Sequence, residues 1–366
     1  MKRLESLDAL RGFDMIFIMG GASLIAAIAA LFPDSQVWGI IGEQMGHVEW
    51  EGLRHHDTIF PLFLFIAGVT WPFSLQNQLD KGKSMRQIYL KVLKRGLMLV
   101  FFGLLYNGML NFHFDTLRFC SVLSRIGLGW MFGAFIFTAV KSNKMRIAII
   151  GGILVFYWLV MAFIPAPDAP AGTDIFSKQG SIACWLDKVI LGAHSFRPEY
   201  DPEGLFSTIP AISTALLGML SGQYIKDGSP SGNRKALTLF VAGIAMALLG
   251  WLWSFVFPIN KALWSSSFVC AVAGYSLIML SLFYYIIDVR GWRKWAKFFV
   301  VIGLNSITIY MAQRFNLLDG IQHRVFDGCI NLFPENLHRV AEEVSWIATC
   351  WIFLYLLYRK RIFLKV

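Results

Sequence analysis

The sequence predicts an all-α polytopic membrane protein, with about ten transmembrane helices and both termini in the cytoplasm. Three observations predict it: an apolar composition, ten long runs without Asp, Glu, Lys or Arg, and basic residues confined to alternate connections. Of 366 residues, 56% are hydrophobic and 15% charged, more apolar than a water-soluble domain needs to fill its core.

A membrane-crossing helix needs roughly 20 apolar residues. The runs are Met15 to Phe32, Thr58 to Gln76, Gly96 to Phe112, Ile126 to Val140 (extended past Arg125 to Phe119), Ile147 to Pro165, Gly204 to Ile225, Ala236 to Pro258, Ala262 to Ile287, Phe298 to Gln313, and Val344 to Tyr358. Barrel strands would be about half as long and would alternate in polarity. The first run has no small-residue cleavage site and reads as a retained span rather than a signal peptide.

Lys and Arg accumulate in cytoplasmic loops. Threading ten spans puts Lys2, Arg3 and Arg11, the Lys81 to Arg95 stretch, Lys141 to Arg146, Lys226 to Lys235, Arg290 to Lys297 and the Arg359 to Lys365 tail on one side, assigned here to the cytoplasm. The net charge of +10 is then a property of short juxtamembrane loops, and no continuous basic face for nucleic acid is expected. The chain reads as one domain, residues 1–366, with outer loops near 33–57, 166–203 and 314–343 and no internal repeat.

Cys120, Cys184, Cys270, Cys329 and Cys350 include no CxxC pair, so no metal site is expected. Cys184 and Cys329 both fall in expected outer loops and are candidates for a disulfide; apolar filling is the alternative for most of the five.

Long loops in a compact bundle tend to be functional, and these three hold six of the seven histidines. The first contains His47, Trp50, Gly52, Arg54, His55, His56 and Asp57 immediately before the second span. Histidine moves protons near neutral pH, and a carboxylate can fix its tautomer, so His47 and Asp57 are a candidate pair. Spacing alone favours the alternative for Asp57, helix capping, with Pro61 tolerated in the first turn. The histidines also fit an ordinary polar loop, and Trp50 an interfacial anchor.

Arg125 sits inside a predicted span, where a cation is costly unless it is paired or faces a polar cavity, so it should face the bundle. Asn305 is either an interhelical hydrogen-bonding group or part of a ligand cavity. Asp201-Pro202-Glu203-Gly204 and Pro258-Ile-Asn260-Lys261 each read as turn chemistry unless they bind substrate.

Seven short motifs, in order, resemble the heparan-α-glucosaminide N-acetyltransferase family and its bacterial members, within the transmembrane acyltransferase superfamily. They are Ser6-Leu-Asp8-Ala-Leu-Arg11-Gly12; His47-x-x-Trp50-x-Gly52; Asp57-x-x-Phe60-Pro61 continuing to Gly68; Val122-Leu-Ser-Arg125-Ile-Gly127; Tyr200-Asp201-Pro202-Glu203-Gly204; Pro258-Ile-Asn260-Lys261-x-Leu-Trp264; and Gly303-Leu-Asn305-Ser306. The resemblance implies transfer of an acetyl group from cytoplasmic acetyl-CoA to a glucosamine amino group on the far side. It implies His47 as the catalytic residue with Asp57 as partner, reversing the preference for capping without excluding a double role.

It further implies a bacterial inner-membrane location with the His47 loop on the periplasmic side, a lipid bilayer and an amino sugar or glycan as partners, and dimerisation. Trp50, Arg125, Asp201, Glu203, Asn260, Lys261 and Asn305 are then candidate substrate-binding residues, with Arg125, Asn260, Lys261 and Asn305 as candidate donors to the thioester oxygen. The pattern departs from the family in two ways. The lysosomal member has an asparagine near the outer end of the first span, where this chain has Gly20-Gly21-Ala22, and it has a luminal amino-terminal domain and an extra first span for which this chain has no counterpart. Two other readings stand beside this one: O-acetylation of a cell-envelope polysaccharide, and a secondary transporter of sugars or organic anions, against which the missing inverted repeat counts.

Overall fold

A computed structural model describes residues 4–364; Lys2, Arg3 and Lys365, counted above among the basic clusters, lie outside them. Each of the ten apolar runs coincides with helix. In chain order the helices are α1 (Glu5–Ile16), a π-helical segment (Phe17–Gly21) and α2 (Ala22–Ala30); α3 (Gln36–Gln44); α4 (His55–Asp80); α5 (Met85–Tyr106); α6 (Val122–Ala139); α7 (Asn143–Phe163); α8 (Ile182–Leu191); and α9 (Thr208–Lys226). Then come α10 (Gly232–Trp253), α11 (Ser266–Phe283), α12 (Ala296–Leu304), α13 (Ser306–Arg314), α14 (Asp319–Ile330) and α15 (Glu335–Arg359). Among the described residues the only β-type pairing is an isolated bridge between Pro165 and Ser181.

Seven of these segments are long and apolar enough to cross a membrane, or eight if the α12–α13 pair, bent by 65°, is one span. The other two expected spans are α5 and α9. The buried positions of α9 are mostly small or hydroxylated, Ser213, Thr214, Gly218 and Gly222 among them, so its composition reflects protein contact more than lipid contact. Helix α5 starts at Met85, well before the expected Gly96, and takes Arg86, Lys91, Lys94 and Arg95 into its N-terminal half, capped by Ser84 and Gln87 in a reciprocal box. Likewise α6 begins at Val122 behind the cap Ser121, so the expected extension to Phe119 is not helical. The expected outer loops are partly ordered as well: α3, α8 and α14 lie in them.

The chain divides into two compact units. The first comprises residues up to Glu49, Arg54–Ile59 and residues 279–364; the second comprises Trp50–Leu53 and Phe60–Ile278.

In the first unit α1 packs on α12, where a Cβ on Gly12 would meet the Phe299 backbone and a Cβ on Gly303 would meet that of Asp8. Such close approach is how helices associate in lipid, where burial of apolar surface gives no net drive. Between α1 and α2, Gly20 has φ +127°, and a Cβ there would lie 2.9 Å from Trp346 Cδ1 and 3.2 Å from Ile347 Cγ1. The asparagine expected from the family near this point has no room at Gly20, and the backbone there disfavours any side chain. Helix α15 leaves Val344, Ile352 and Leu356 exposed, as a lipid-facing helix does.

In the second unit α6 packs between α5 and α9. A Gly218-x-x-x-Gly222 face on α9 meets the backbone of α4 at Phe65 and Val69, the small-residue spacing that lets two backbones touch. Arg146 on α7 donates to the carbonyls of Val140 and Phe137, each at 2.7 Å, satisfying acceptors at the end of α6 that have no helical partner. Helix α10 exposes Leu237, Val241, Ile244, Leu248, Trp251 and Leu252; these apolar side chains read as lipid contacts.

Candidate functional site

In the first unit the chain at His47 and Val48 meets the chain at Arg54 and Asp57. Helix α4 begins at His55, so Asp57 lies inside its first turn rather than in front of it. The carboxylate turns backward. Its Oδ1 meets His47 Nδ1 at 2.7 Å, and its Oδ2 accepts from Val48 N at 3.3 Å and Arg54 N at 3.2 Å. Spacing favours Asp57 as a cap for the helix ahead of it; the carboxylate instead turns back, and its bond to Arg54 N, just before α4, is the returning half of a capping box, so a capping role coexists with the pairing to His47. Asp57 is 1% exposed whereas the His47 side chain is 55% exposed. A buried carboxylate therefore orients a histidine that reaches solvent.

That geometry fixes the chemistry of the ring. With Nδ1–H donating to the carboxylate, the neutral tautomer presents its lone pair on Nε2, and charge arising on the imidazole is stabilised by Asp57. Arg54 closes the loop, donating from Nη1 to His47 O at 3.0 Å, while its Nη2 lies 3.9 Å from Glu43 Oε2 on α3. Gln44 Oε1 accepts from His55 N at 2.9 Å, tying α3 to the start of α4. The His55 ring lies against Phe17 with centroids 4.5 Å apart, and the His56 ring lies 4.7 Å from that of His47.

Asn305 also belongs to the first unit, at the bend between α12 and α13. Its Nδ2 donates to Ile362 O at 3.0 Å and its Oδ1 accepts from Leu364 N at 3.2 Å. These bonds hold the segment after α15, so of the two readings the structure shows hydrogen-bonded packing rather than a group open to the thioester oxygen.

The second unit gathers most of the other candidates. Trp50 is half-buried; its Nε1 donates to Phe176 O at 2.9 Å and its ring meets Tyr200 edge-on at 5.1 Å, with Lys178 Nζ 5.5 Å from the indole centroid. These contacts hold the indole within the unit. Asp201 and Glu203 bind Arg118: Asp201 accepts from Nε at 2.8 Å and from Nη2 at 2.6 Å, and Nη2 also donates to Glu203. Asp201 further accepts from Phe196 N and Glu203 N, each at 2.9 Å. Burial works against the charged guanidinium, but pairing with the two carboxylates outweighs it and pushes the pKa of Arg118 up from its already high value. The turn reading of Asp201-Pro202-Glu203-Gly204 is thus right about the backbone and incomplete about the side chains.

Arg125 faces inward, 1% exposed. Its Nη2 donates to Ser207 Oγ and, at 3.2 Å, to Gly204 O, and its guanidinium lies 4.9 Å from the Trp264 ring centroid. Nε and Nη1 have no hydrogen-bond partner, and neither has Asn260 Nδ2, although Asn260 Oδ1 accepts from Leu263 N at 2.9 Å. Buried donors without partners are costly, and a ligand oxygen would satisfy them. Lys261 belongs to the same turn, where its carbonyl accepts from Trp264 N at 3.1 Å.

Sequence reading missed Arg118 and Asp187. Arg118 lies three residues before the Ser121 cap, a lone cation beside an identified motif, and that was the available signal. Asp187 on α8 is 2% exposed and accepts from Leu205 N at 2.9 Å; burial pushes its carboxyl up to about 7. All five cysteines are free thiols, which removes the candidate Cys184–Cys329 disulfide. Burial pushes the Cys120 and Cys184 thiols up to about 12, so neither supplies a thiolate nucleophile near neutral pH. Among the described residues no group of three or more His, Cys, Asp or Glu side chains is arranged to hold a metal ion.

Comparison with known proteins bears on the same residues. A family model described as a domain of unknown function, DUF5009, matches residues 3–168, a stretch that includes His47, Asp57 and Arg125. The human heparan-alpha-glucosaminide N-acetyltransferase is 26% identical over 430 aligned positions that take in all of this chain and 60% of the human protein. The mouse protein of the same name is 26% identical over 423 positions with the same coverage. The chain is thus similar along its whole length to the human and mouse heparan-alpha-glucosaminide N-acetyltransferases. It spans about three-fifths of the length of the curated relatives it matches. The many long apolar helices make it an integral membrane protein.

Proposed function

We propose that this chain is a membrane acetyltransferase that moves an acetyl group from acetyl-CoA to the amino group of glucosamine or a related amino sugar. The observation that carries the reading is the His47–Asp57 pair, a solvent-reaching imidazole 2.7 Å from a buried carboxylate, in a chain similar to proteins named N-acetyltransferases.

His47 Nε2 removes a proton from the acceptor nitrogen as it attacks the thioester carbonyl, and then returns that proton to the departing CoA sulfur. The alternative route has Nε2 take the acetyl group first and pass it to the amine. In both, Asp57 holds the ring and stabilises its charged form. Within the second unit, the partnerless donors of Arg125 and Asn260 are suited to oxygen atoms of a ligand. The basic loops on the side of the termini support a cytoplasmic source of acetyl-CoA, with the His47 loop on the periplasmic face of a bacterial inner membrane.

The test is to incubate purified, detergent-solubilised protein with labelled acetyl-CoA and a panel of amino sugars and polysaccharides, reading products by mass spectrometry. Transfer to an amino group, abolished in His47→Ala, is expected. Undiminished transfer in His47→Ala refutes the assignment, and acetylation only of hydroxyls refutes the acceptor. CoA should also raise the melting temperature, since a ligand that binds only the folded state stabilises it; indifference to CoA together with sugar uptake in vesicles would favour a transporter.

A further inference from the structure

The acetyl-transfer reading leaves one proton without a carrier. Near neutral pH an amino sugar is largely an ammonium ion, and the overall reaction converts R–NH3+ and acetyl–S–CoA into R–NH–acetyl, CoA–SH and one proton. The N–C bond forms and the C–S bond breaks. Two protons leave nitrogen: one before attack, to free the lone pair, and one as the tetrahedral intermediate collapses, to end on sulfur. His47 Nε2 can hold only one at a time, because its Nδ1 is committed to Asp57 at 2.7 Å.

The groups around His47 decide what takes the other. Asp57 meets three donors with its two oxygens and is 1% exposed, so protonating it would break bonds that hold the loop. Arg54 is a permanent cation on His47 O, and Glu43, the charged residue that α3 brings to the loop, faces Arg54 at 3.9 Å. Glu49 is exposed further along the loop. The His55 ring packs against Phe17. His56 is the titratable ring in contact with His47, with centroids 4.7 Å apart and planes inclined at 59°, and it is half-buried rather than sealed.

We propose that His56 is the second proton carrier of this site: it takes the proton that the acceptor ammonium loses before attack and passes it to water, leaving His47 neutral for the transfer itself. Two imidazoles this close do not both carry charge readily, so a proton on one ring disfavours a proton on the other. His56 acts here as a proton-carrying and positioning residue; the acetyl group never touches it.

The proposal rests on the acetyl-transfer reading, and two measurements keep the failures apart. The first is the pH profile of acetyl transfer by wild type and His56→Gln, with His56→Asn as a second variant should the first not fold. We expect kcat/KM to fall about tenfold at pH 7 and to recover above the acceptor amine's own pKa, where the amine arrives neutral. A loss that is the same at every pH, or no loss, overturns the proposal while leaving the wild-type activity standing. The second needs no activity: an NMR titration of labelled histidines in detergent. His47 should titrate at a higher midpoint in His56→Gln than in wild type, and His56 likewise in His47→Gln, because the charge on the neighbouring ring is gone. Unchanged midpoints overturn the pairing. Absence of any transfer by the wild type, with coupled midpoints, overturns the acetyl-transfer reading and with it the carrier role of His56, leaving only the pairing of the two rings.

Discussion

Replacing Asp57 by asparagine tests the site more sharply than deleting the histidine, because the structure dictates how the variant must fail. The wild-type carboxylate is an acceptor on both oxygens, toward His47 Nδ1 on one side and toward Val48 N and Arg54 N on the other. The amide introduced by Asp57→Asn has one acceptor end and one donor end. Turning the donor toward the two backbone N–H groups leaves both without an acceptor in a buried position, at about 1–3 kcal/mol each. Turning it toward His47 costs only a change of imidazole tautomer, so that orientation wins.

In it Nδ1 becomes the acceptor and Nε2 carries the hydrogen, so the nitrogen that should act as base has lost its lone pair. The expected loss in kcat is roughly 10⁴-fold, by analogy with other His–carboxylate pairs, equivalent to about 5 kcal/mol of transition-state stabilisation. Stability should change little, since the two backbone donors keep their acceptor. The assay is acetyl transfer by Asp57→Asn beside its melting curve in detergent. Activity within about threefold of wild type with an unchanged melting temperature would refute the argument that Asp57 sets the His47 tautomer.

Arg118→Met strips the cation from two carboxylates, one of them fully buried. Breaking a largely buried ion pair costs about 3 kcal/mol, which should lower the melting temperature by roughly 6–12 °C if the second unit melts cooperatively, and adding Asp201→Asn should recover part of that loss. Asp187 has a folded-state pKa of about 7 against an ordinary 3.8, so the folded state binds more protons and stability falls as pH rises between those values. Asp187→Asn should therefore melt higher than wild type at pH 8 and match it at pH 4, the amide oxygen still accepting from Leu205 N; equal melting temperatures at both pH values would show that the carboxyl is not desolvated. Gly20→Asn must adopt a φ of +127° and place Cβ against Trp346, a strain of about 1–3 kcal/mol, visible as a lower melting temperature and refuted by wild-type stability.

The legible part of the site is the part close in sequence. His47 and Asp57 are ten residues apart, and residue chemistry together with motif order is enough to pair them. Asp201 and Glu203 stand out in their own motif, but their partner Arg118 lies 83 residues from Asp201, and nothing local to either segment announces the other. Asn305 reads the same in sequence whether its amide faces a ligand or, as it does, the backbone at Ile362 and Leu364.

The solvent of this protein and the positions of its helices follow from the sequence alone, because hydropathy and charge act on each segment separately, and a run of roughly 20 apolar residues has few stable places but a bilayer. Which helices face lipid and which, like α9, turn Ser and Thr toward neighbours is a tertiary outcome. So is the direction of the Asp57 carboxylate, backward onto His47 instead of forward into its own helix. Those outcomes depend on which donors and surfaces the folded chain brings within a few ångströms, and that information belongs to no single segment.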